Sequence, residues 1–393
     1  MSKIQRPPVS HEASSVIEEL LRGVPIVDAH HHLWDIGNTP PVQRGMAFLP
    51  WTELAGEPVH EFPPGLTPPE GAEPLPEDQV KAYGKWTANS FGQHNNMIQN
   101  YLPADLLQEF AHANIELDSS VFIECVWIAP DDKFGDLGET KWVQENCANP
   151  TSNKVAKAII GHVNLLTLSK DDARELFKKH IAQVPNFRGI RFTITHEEGG
   201  PNRFFPLSPK PHIAQDPHWL DNFSLLGEFG LSFELWCFGY QIVEGAELAK
   251  QFPGTNFVLD HFGTPVDVYT DDAVYKKWQE DITLLASNPN VYAKLSGLMP
   301  PLGYTYHRRK WGAPGPTARM LAESRFGDLV RKTVEVFGVD RCMFGSNFPV
   351  DKGSADLAEL IGCYLLVLKA SGLASPENIA KVFRENAKKF YRI

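Results

Sequence analysis

Val27-Asp28-Ala29-His30-His31-His32-Leu33-Trp34-Asp35 follows Val24-Pro25-Ile26 directly, so an apolar run opens into three consecutive imidazoles. Side chains alternate along a strand, which sends His30 and His32 to the same side, where they can converge on one ion or substrate. A surface histidine cluster is the plainer reading, but such clusters seldom continue an apolar strand. The stretch therefore reads as the first strand of a fold that carries a candidate site at its C-terminal end.

Seven further apolar runs follow. With the first they cover residues 26–33, 121–128, 157–164, 188–194, 231–237, 256–260, 290–296 and 341–346. Several are nearly continuous, as strands of a buried parallel sheet tend to be. Helical spacing lies between many of them: Ala173, Leu176, Phe177 and Ile181 within 171–182, then 243–252, 325–337, and the Leu357 to Leu368 stripe. Near the end, Ser375 and Pro376 form a helix start ahead of Ile379, Val382, Phe383 and Phe390. Eight strands alternating with helices predict an α/β fold, a (β/α)8 TIM barrel, with catalytic groups at the C-terminal ends of its strands. A doubly wound sheet is the rival, but no Gly-x-Gly-x-x-Gly turn follows a strand. One barrel domain over 1–393 is expected, with a leader at 1–24 and a proline-rich insertion or lid at 36–100. Ten prolines fall between residues 40 and 76 of that insertion, where regular structure is disfavoured. Trp86 and His94 in its second half are candidates for packing over the barrel mouth.

Composition narrows the function classes. The 393 residues are 42% hydrophobic and 22% charged, which suits a folded enzyme. A formal charge of −11 and the lack of a long basic run remove the electrostatic basis for nucleic-acid binding, so the expected partner is a small-molecule substrate, with a homo-oligomer open. The N-terminus has no secretory-type apolar run and no 18-residue apolar span occurs, which argues against a membrane protein. Five cysteines without CxxC spacing fit a reducing compartment. A cytoplasmic location is the expectation.

Read in order, VDAHHHLWD (27–35), FIECVW (122–127), GETKWVQ (138–144), FRGIRF (187–192), FELWCFGYQ (233–241), FVLDHFGTP (257–265), AKLSGL (293–298) and CMFGSNFPVD (342–351) resemble the amidohydrolase superfamily. Within it they look like the amidohydrolase-related group that includes sugar-acid lactonases and 2-pyrone-4,6-dicarboxylate lactonase. The resemblance runs from about Ile26 to the C-terminus apart from the insertion. It implies a catalytic His-x-His pair at His30 and His32, joined by His261 after the sixth strand. These three are candidate ligands for Zn or Mn, although the group also contains metal-independent enzymes.

The resemblance also implies an aspartate after the eighth strand, and here this chain departs from the pattern with Asn347. An amide cannot serve as a carboxylate base, so Asp351 or Glu124 is the candidate replacement, Asp351 reading equally well as a cap residue. Arg191 is expected to bind an anionic group and Arg188, on the opposite face, to be structural. Gln241 matches a polar position of the group. Glu234 comes from the fifth-strand region, and Trp236 reads equally as core or substrate platform. Asp260 is expected to point away from His261. The implied activity is hydrolysis of a small lactone or related cyclic ester. A decarboxylase or hydratase on the same barrel, or a non-catalytic ligand-binding barrel, are the alternatives.

Overall fold

The computed structural model describes residues 9–35, 100–125, 127, 132–148, 154–196, 208, 210–269, 271–297 and 315–393. Eight parallel strands follow one another in chain order: β1 (Ile26–His31), β2 (Leu117–Ile123), β3 (Ala158–Gly161), β4 (Phe187–Arg191), β5 (Ser232–Leu235), β6 (Phe257–Leu259), β7 (Val291–Leu295) and β8 (Cys342–Phe344). All eight overlap the apolar runs. β2 begins earlier than its run because the hydroxyls there are satisfied locally: Ser119 Oγ donates to Asp118 at 2.9 Å, and Ser120 Oγ accepts from Ala156 N at 3.0 Å.

Polar groups bring the last strand back to the first. The His30 carbonyl accepts from Asn347 N at 2.7 Å, and His32 N donates to the Phe348 carbonyl at 2.8 Å. Asp28 then clamps the seam, its two carboxylate oxygens accepting from Ser346 N at 2.8 Å and Ser346 Oγ at 2.7 Å. The result is a (β/α)8 barrel. His31 faces outward from the same seam, with Nε2 2.8 Å from Ser120 Oγ, and burial lowers its pKa to about 3.

Helices fill the crossovers as the periodicity predicts, including Lys170–Gln183, Ile242–Gln251, Arg325–Phe337 and Leu357–Ala370. Ser375 caps the final helical stretch by accepting from Asn378 N, with Pro376 in its first turn. A five-residue π segment, Lys381–Glu385, joins that turn to Asn386–Tyr391. Within the expected leader, residues His11–Leu21 form a helix.

Two apolar layers hold the barrel. Phe223 sits between barrel wall and helices, fully buried, with ring centroids 4.8 to 5.7 Å from Trp219, Phe233, Phe252 and Phe257. Inside the barrel, Val27, Ala29, Val121, Ile123, Ala158, Ile160, Val258 and Met343 cluster with Ala387, Phe390 and Tyr391 of the last helix, which closes the N-terminal end of the strands. The five cysteines are free and buried, and among the described residues no helix is long and apolar enough to cross a membrane. The proline-rich segment, with Trp86 and His94, lies outside the described residues. Its two ends meet where Trp34 and Tyr101 exchange backbone hydrogen bonds of 2.9 Å, just past the C-terminal end of β1.

Phe223→Ala removes a ring from the centre of the aromatic layer and is expected to cost about 3–5 kcal/mol, read as a lowered urea midpoint with the denaturant slope unchanged. His31 gives a pH signature of opposite origin. Its folded pKa lies below the ordinary histidine value, so the unfolded chain takes up a proton the folded one refuses, and stability falls as pH drops from about 6.5 towards 3. Relative to His31→Asn, wild-type stability should therefore fall by up to about 1.4 kcal/mol per pH unit over that window, and parallel pH profiles from urea titrations would refute it.

Candidate active site

The C-terminal ends of the strands carry a compact group of ionisable side chains. β1 is irregular between Asp28 and His31, and this local shift lets His30 turn inward although Ala29 before it also belongs to the barrel interior. The His30 ring centroid lies 5.1 Å from that of His32 and 4.5 Å from that of His261. The three expected imidazoles are thus neighbours. All three are held neutral: burial drives His30 and His32 well below the usual histidine range, helped by Lys294 and Arg191 respectively, and brings His261 to about 3.

Asp260 corrects one expectation. Strict alternation would set it opposite His261, but β6 ends at Leu259, and His261 and Phe262 adopt left-handed backbone conformations, φ +53° and +58°. The turn folds both side chains toward the centre. Ligating atoms of His30, Asp260 and His261 all lie within 4.8 Å of one another. Gly297, at φ +80°, is what leaves room: a Cβ there would stand 2.4 Å from the His261 Cβ and Cγ. The His261 ring is then anchored through Nδ1, 3.0 Å from Ser296 Oγ.

Arg191 enters from the end of β4. Its Nε donates to Glu124 Oε1 at 2.6 Å and Nη2 to the Glu124 carbonyl at 2.8 Å, while the guanidinium lies 4.6 Å over the half-buried Trp236 ring. Arg188 faces elsewhere, donating to the carbonyls of Tyr391, Pro185 and Phe187. Gln241 engages both ends of its amide with backbone, accepting from His196 N and donating to the Ile194 carbonyl at 2.6 Å, and so ties together the loops that follow β4 and β5. Asn347, at φ +54°, donates Nδ2 to Asp351 Oδ1 at 2.9 Å, so the amide and the buried carboxylate form one unit beside β8.

Lys294, Ser296 and the inward turn of Asp260 were missed from the sequence. Lys294 Nζ is fully buried, hydrogen-bonded to Glu234 Oε2, 3.1 Å from His30 Nδ1 and 3.2 Å from Asp260 Oδ1. Tyr391 donates to the other Glu234 oxygen at 2.6 Å. Burial pushes Glu234 up to about 8 despite Lys294, with Asp260 adding to the rise. Asp260 goes the other way: the Lys294 ammonium beside it outweighs burial and holds its carboxyl well below the usual carboxylate range.

The donors fit a divalent cation in kind. His30 Nε2 is buried without a hydrogen-bond partner among the described residues, as are both Asp260 oxygens, and His261 completes two nitrogens and one oxygen. His32 has a defined tautomer, because Nδ1 lies 2.9 Å from the Ile123 carbonyl, which can only accept; its Nε2 therefore carries the lone pair.

The sequence profile of the amidohydrolase family matches residues 132–393. An uncharacterized protein, y4mH, of Sinorhizobium fredii is 27% identical over 370 residues, 94% of this chain and 99% of the relative. L-fucono-1,5-lactonase of Burkholderia ambifaria is 25% identical over 244 residues, 60% of this chain and 70% of the relative. A crystal structure of an amidohydrolase from Burkholderia multivorans with bound zinc superposes with a TM-score of 0.61 at 18% identity, covering 94% of this chain and all of that one.

Gly297→Ala should push His261 off its position while leaving the fold largely intact, since the clash falls on one side chain at a strand end. The expected outcome is a fall in turnover of at least about 10-fold, equivalent to about 1.4 kcal/mol in the barrier, with the far-ultraviolet spectrum unchanged; full activity would separate His261 from the chemistry.

Proposed function

Because the chain belongs to the amidohydrolase family, we propose that it hydrolyses a small lactone or related cyclic ester bearing a carboxylate or several hydroxyls. The observation that carries this reading is the convergence of His30, His32 and His261 with Asp260 and Arg191 at the C-terminal mouth of the barrel. Ring opening adds water across the acyl C–O bond: one proton leaves the attacking water, one reaches the departing alkoxide, and the product is the open hydroxy acid. Each demand has a candidate group here.

The carbonyl oxygen gains negative charge as water adds, and a donor fixed in a dry site stabilises that charge better than solvent does. Neutral imidazole serves as such a donor. Asp260, ionised, with Oδ1 3.2 Å from Lys294 Nζ and Oδ2 not hydrogen-bonded among the described residues, takes the proton of the attacking water and passes it to the departing alkoxide. This assigns to Asp260 the role first looked for at Asp351 or Glu124, whose carboxylates face Asn347 and Arg191. Arg191, 4.6 Å over the Trp236 ring, offers its remaining N–H groups to an anionic substituent. When bound at His30, Asp260 and His261, a divalent cation would supply Lewis-acid polarisation of the carbonyl. The 25%-identical L-fucono-1,5-lactonase lends the substrate class its support.

The test is a panel of 1,4- and 1,5-aldonolactones and carboxylated pyrones, followed by acid release in weakly buffered indicator. At least one should be opened, with Asp260→Asn lowering kcat by about 10²–10⁴-fold and Arg191→Met raising KM for a carboxylated substrate. Carbon dioxide release from an aromatic acid, with no lactone opened, would replace this reading by decarboxylation; tight ligand binding without turnover would make the barrel a binding protein.

A further inference from the structure

Among the described residues, Lys294 is the one cation inside the barrel that no hydrolytic step requires. An ammonium carries three donors and no acceptor, and its three neighbours here are Glu234, Asp260 and His30 Nδ1. The ionised Asp260 supplies the counter-charge that lets an ammonium occupy so dry a place, and Glu234 Oε2 accepts a further hydrogen bond. Tyr391 holds Glu234 from the far side, which leaves Oε2 for the lysine.

The third contact has a chemical consequence. A nitrogen that receives a hydrogen bond from an ammonium must present its lone pair, so a donation from Lys294 to His30 Nδ1 requires the ring proton on Nε2. Asp260 also lies near Nδ1, at 3.3 Å, but the lysine is closer and in hydrogen-bond geometry. With that donation His30 presents N–H from Nε2, buried without a partner among the described residues, beside a His32 that presents a lone pair. The two members of the His-x-His pair are chemically opposite.

We propose that Lys294 is a positioning residue that sets the His30 tautomer, making His30 a hydrogen-bond donor to a substrate oxygen and a poor ligand for a divalent cation. The identity of that oxygen as a lactone carbonyl rests on the hydrolytic reading above; the tautomer does not. A cation at His30 needs the lone pair on Nε2, which requires the proton to move to Nδ1, toward Asp260, and Lys294 to give up its contact.

Long-range ¹⁵N–¹H correlation spectra of histidine-labelled full-length protein, with His30→Asn used only to assign the signal, read the tautomer directly. His30 should show a protonated Nε2 and an unprotonated Nδ1, with His32 reversed; a protonated Nδ1 on His30 in the wild type overturns the proposal. The second arm uses Lys294→Met with Glu234→Gln, a pair that removes the ammonium together with the carboxyl group it bonds and keeps an acceptor for Tyr391, which protects the fold. In this variant the His30 proton should move to Nδ1, and zinc affinity, measured by competition with a chromophoric chelator, should rise at least about 10-fold, about 1.4 kcal/mol. An unchanged tautomer, or zinc bound no more tightly than by the wild type, refutes the role of Lys294. If Nε2–H is found while no lactone is opened, the tautomer assignment stands and only the hydrolytic reading falls.

Discussion

An ammonium buried in the middle of a parallel barrel sets the terms for everything around it. Taking such a charge out of water costs several kcal/mol unless opposite charges and acceptors meet it at contact distance. Lys294 on β7 finds its partners on β5, just after β6, and on β1. Four strands must therefore keep one relative register, and the last helix must place Tyr391 against Glu234 for the arrangement to close. The neutral state of the histidines and the ionised state of Asp260 follow from the same placement, since Lys294 disfavours a second positive charge and favours a negative one beside it.

Much of this was legible in the residues. The eight strands were, because each overlaps a short, largely buried apolar run, and many of the helices between them show 3.6-residue periodicity. The His30 and His32 pair was legible from alternation, although the strand that carries it is irregular between Asp28 and His31. Arg191 was separable from Arg188 by the same logic. Asp260 was misplaced because alternation was extended one residue beyond the strand, into a turn whose left-handed residues no period describes. Lys294 left a signal that went unused: a charge amid Val291, Ala293 and Leu295 on a strand with no exposed face has to be answered by buried partners. Which partners answer it is a three-dimensional fact, set by strands some 34 to 264 positions away.

Asn347 shows why a departure from a family pattern needs its neighbours. Taken alone it is a lost carboxylate. In the structure its amide donates to Asp351, and a second carboxylate in that place would meet Asp351 across a 2.9 Å contact with no proton to share at neutral pH. The negative charge facing the imidazoles comes instead from Asp260, whose ionisation the adjacent lysine secures.

The seam between β1 and β8 has a consequence for how the protein is made. Asp28 meets Ser346 across 318 positions, and His30 meets Lys294 across 264. Loop-closure entropy of that span must be overcome before the contacts can contribute anything, which places the protein among slow, non-local folders. Only a fragment that runs from Asp28 to Ser346 holds the imidazoles, the lysine and both halves of the clamp together. The imidazoles, the lysine and the clamp are assembled only in the closed barrel, so parting the seam between β1 and β8 takes the site apart while leaving the contacts of the aromatic layer outside the wall unbroken.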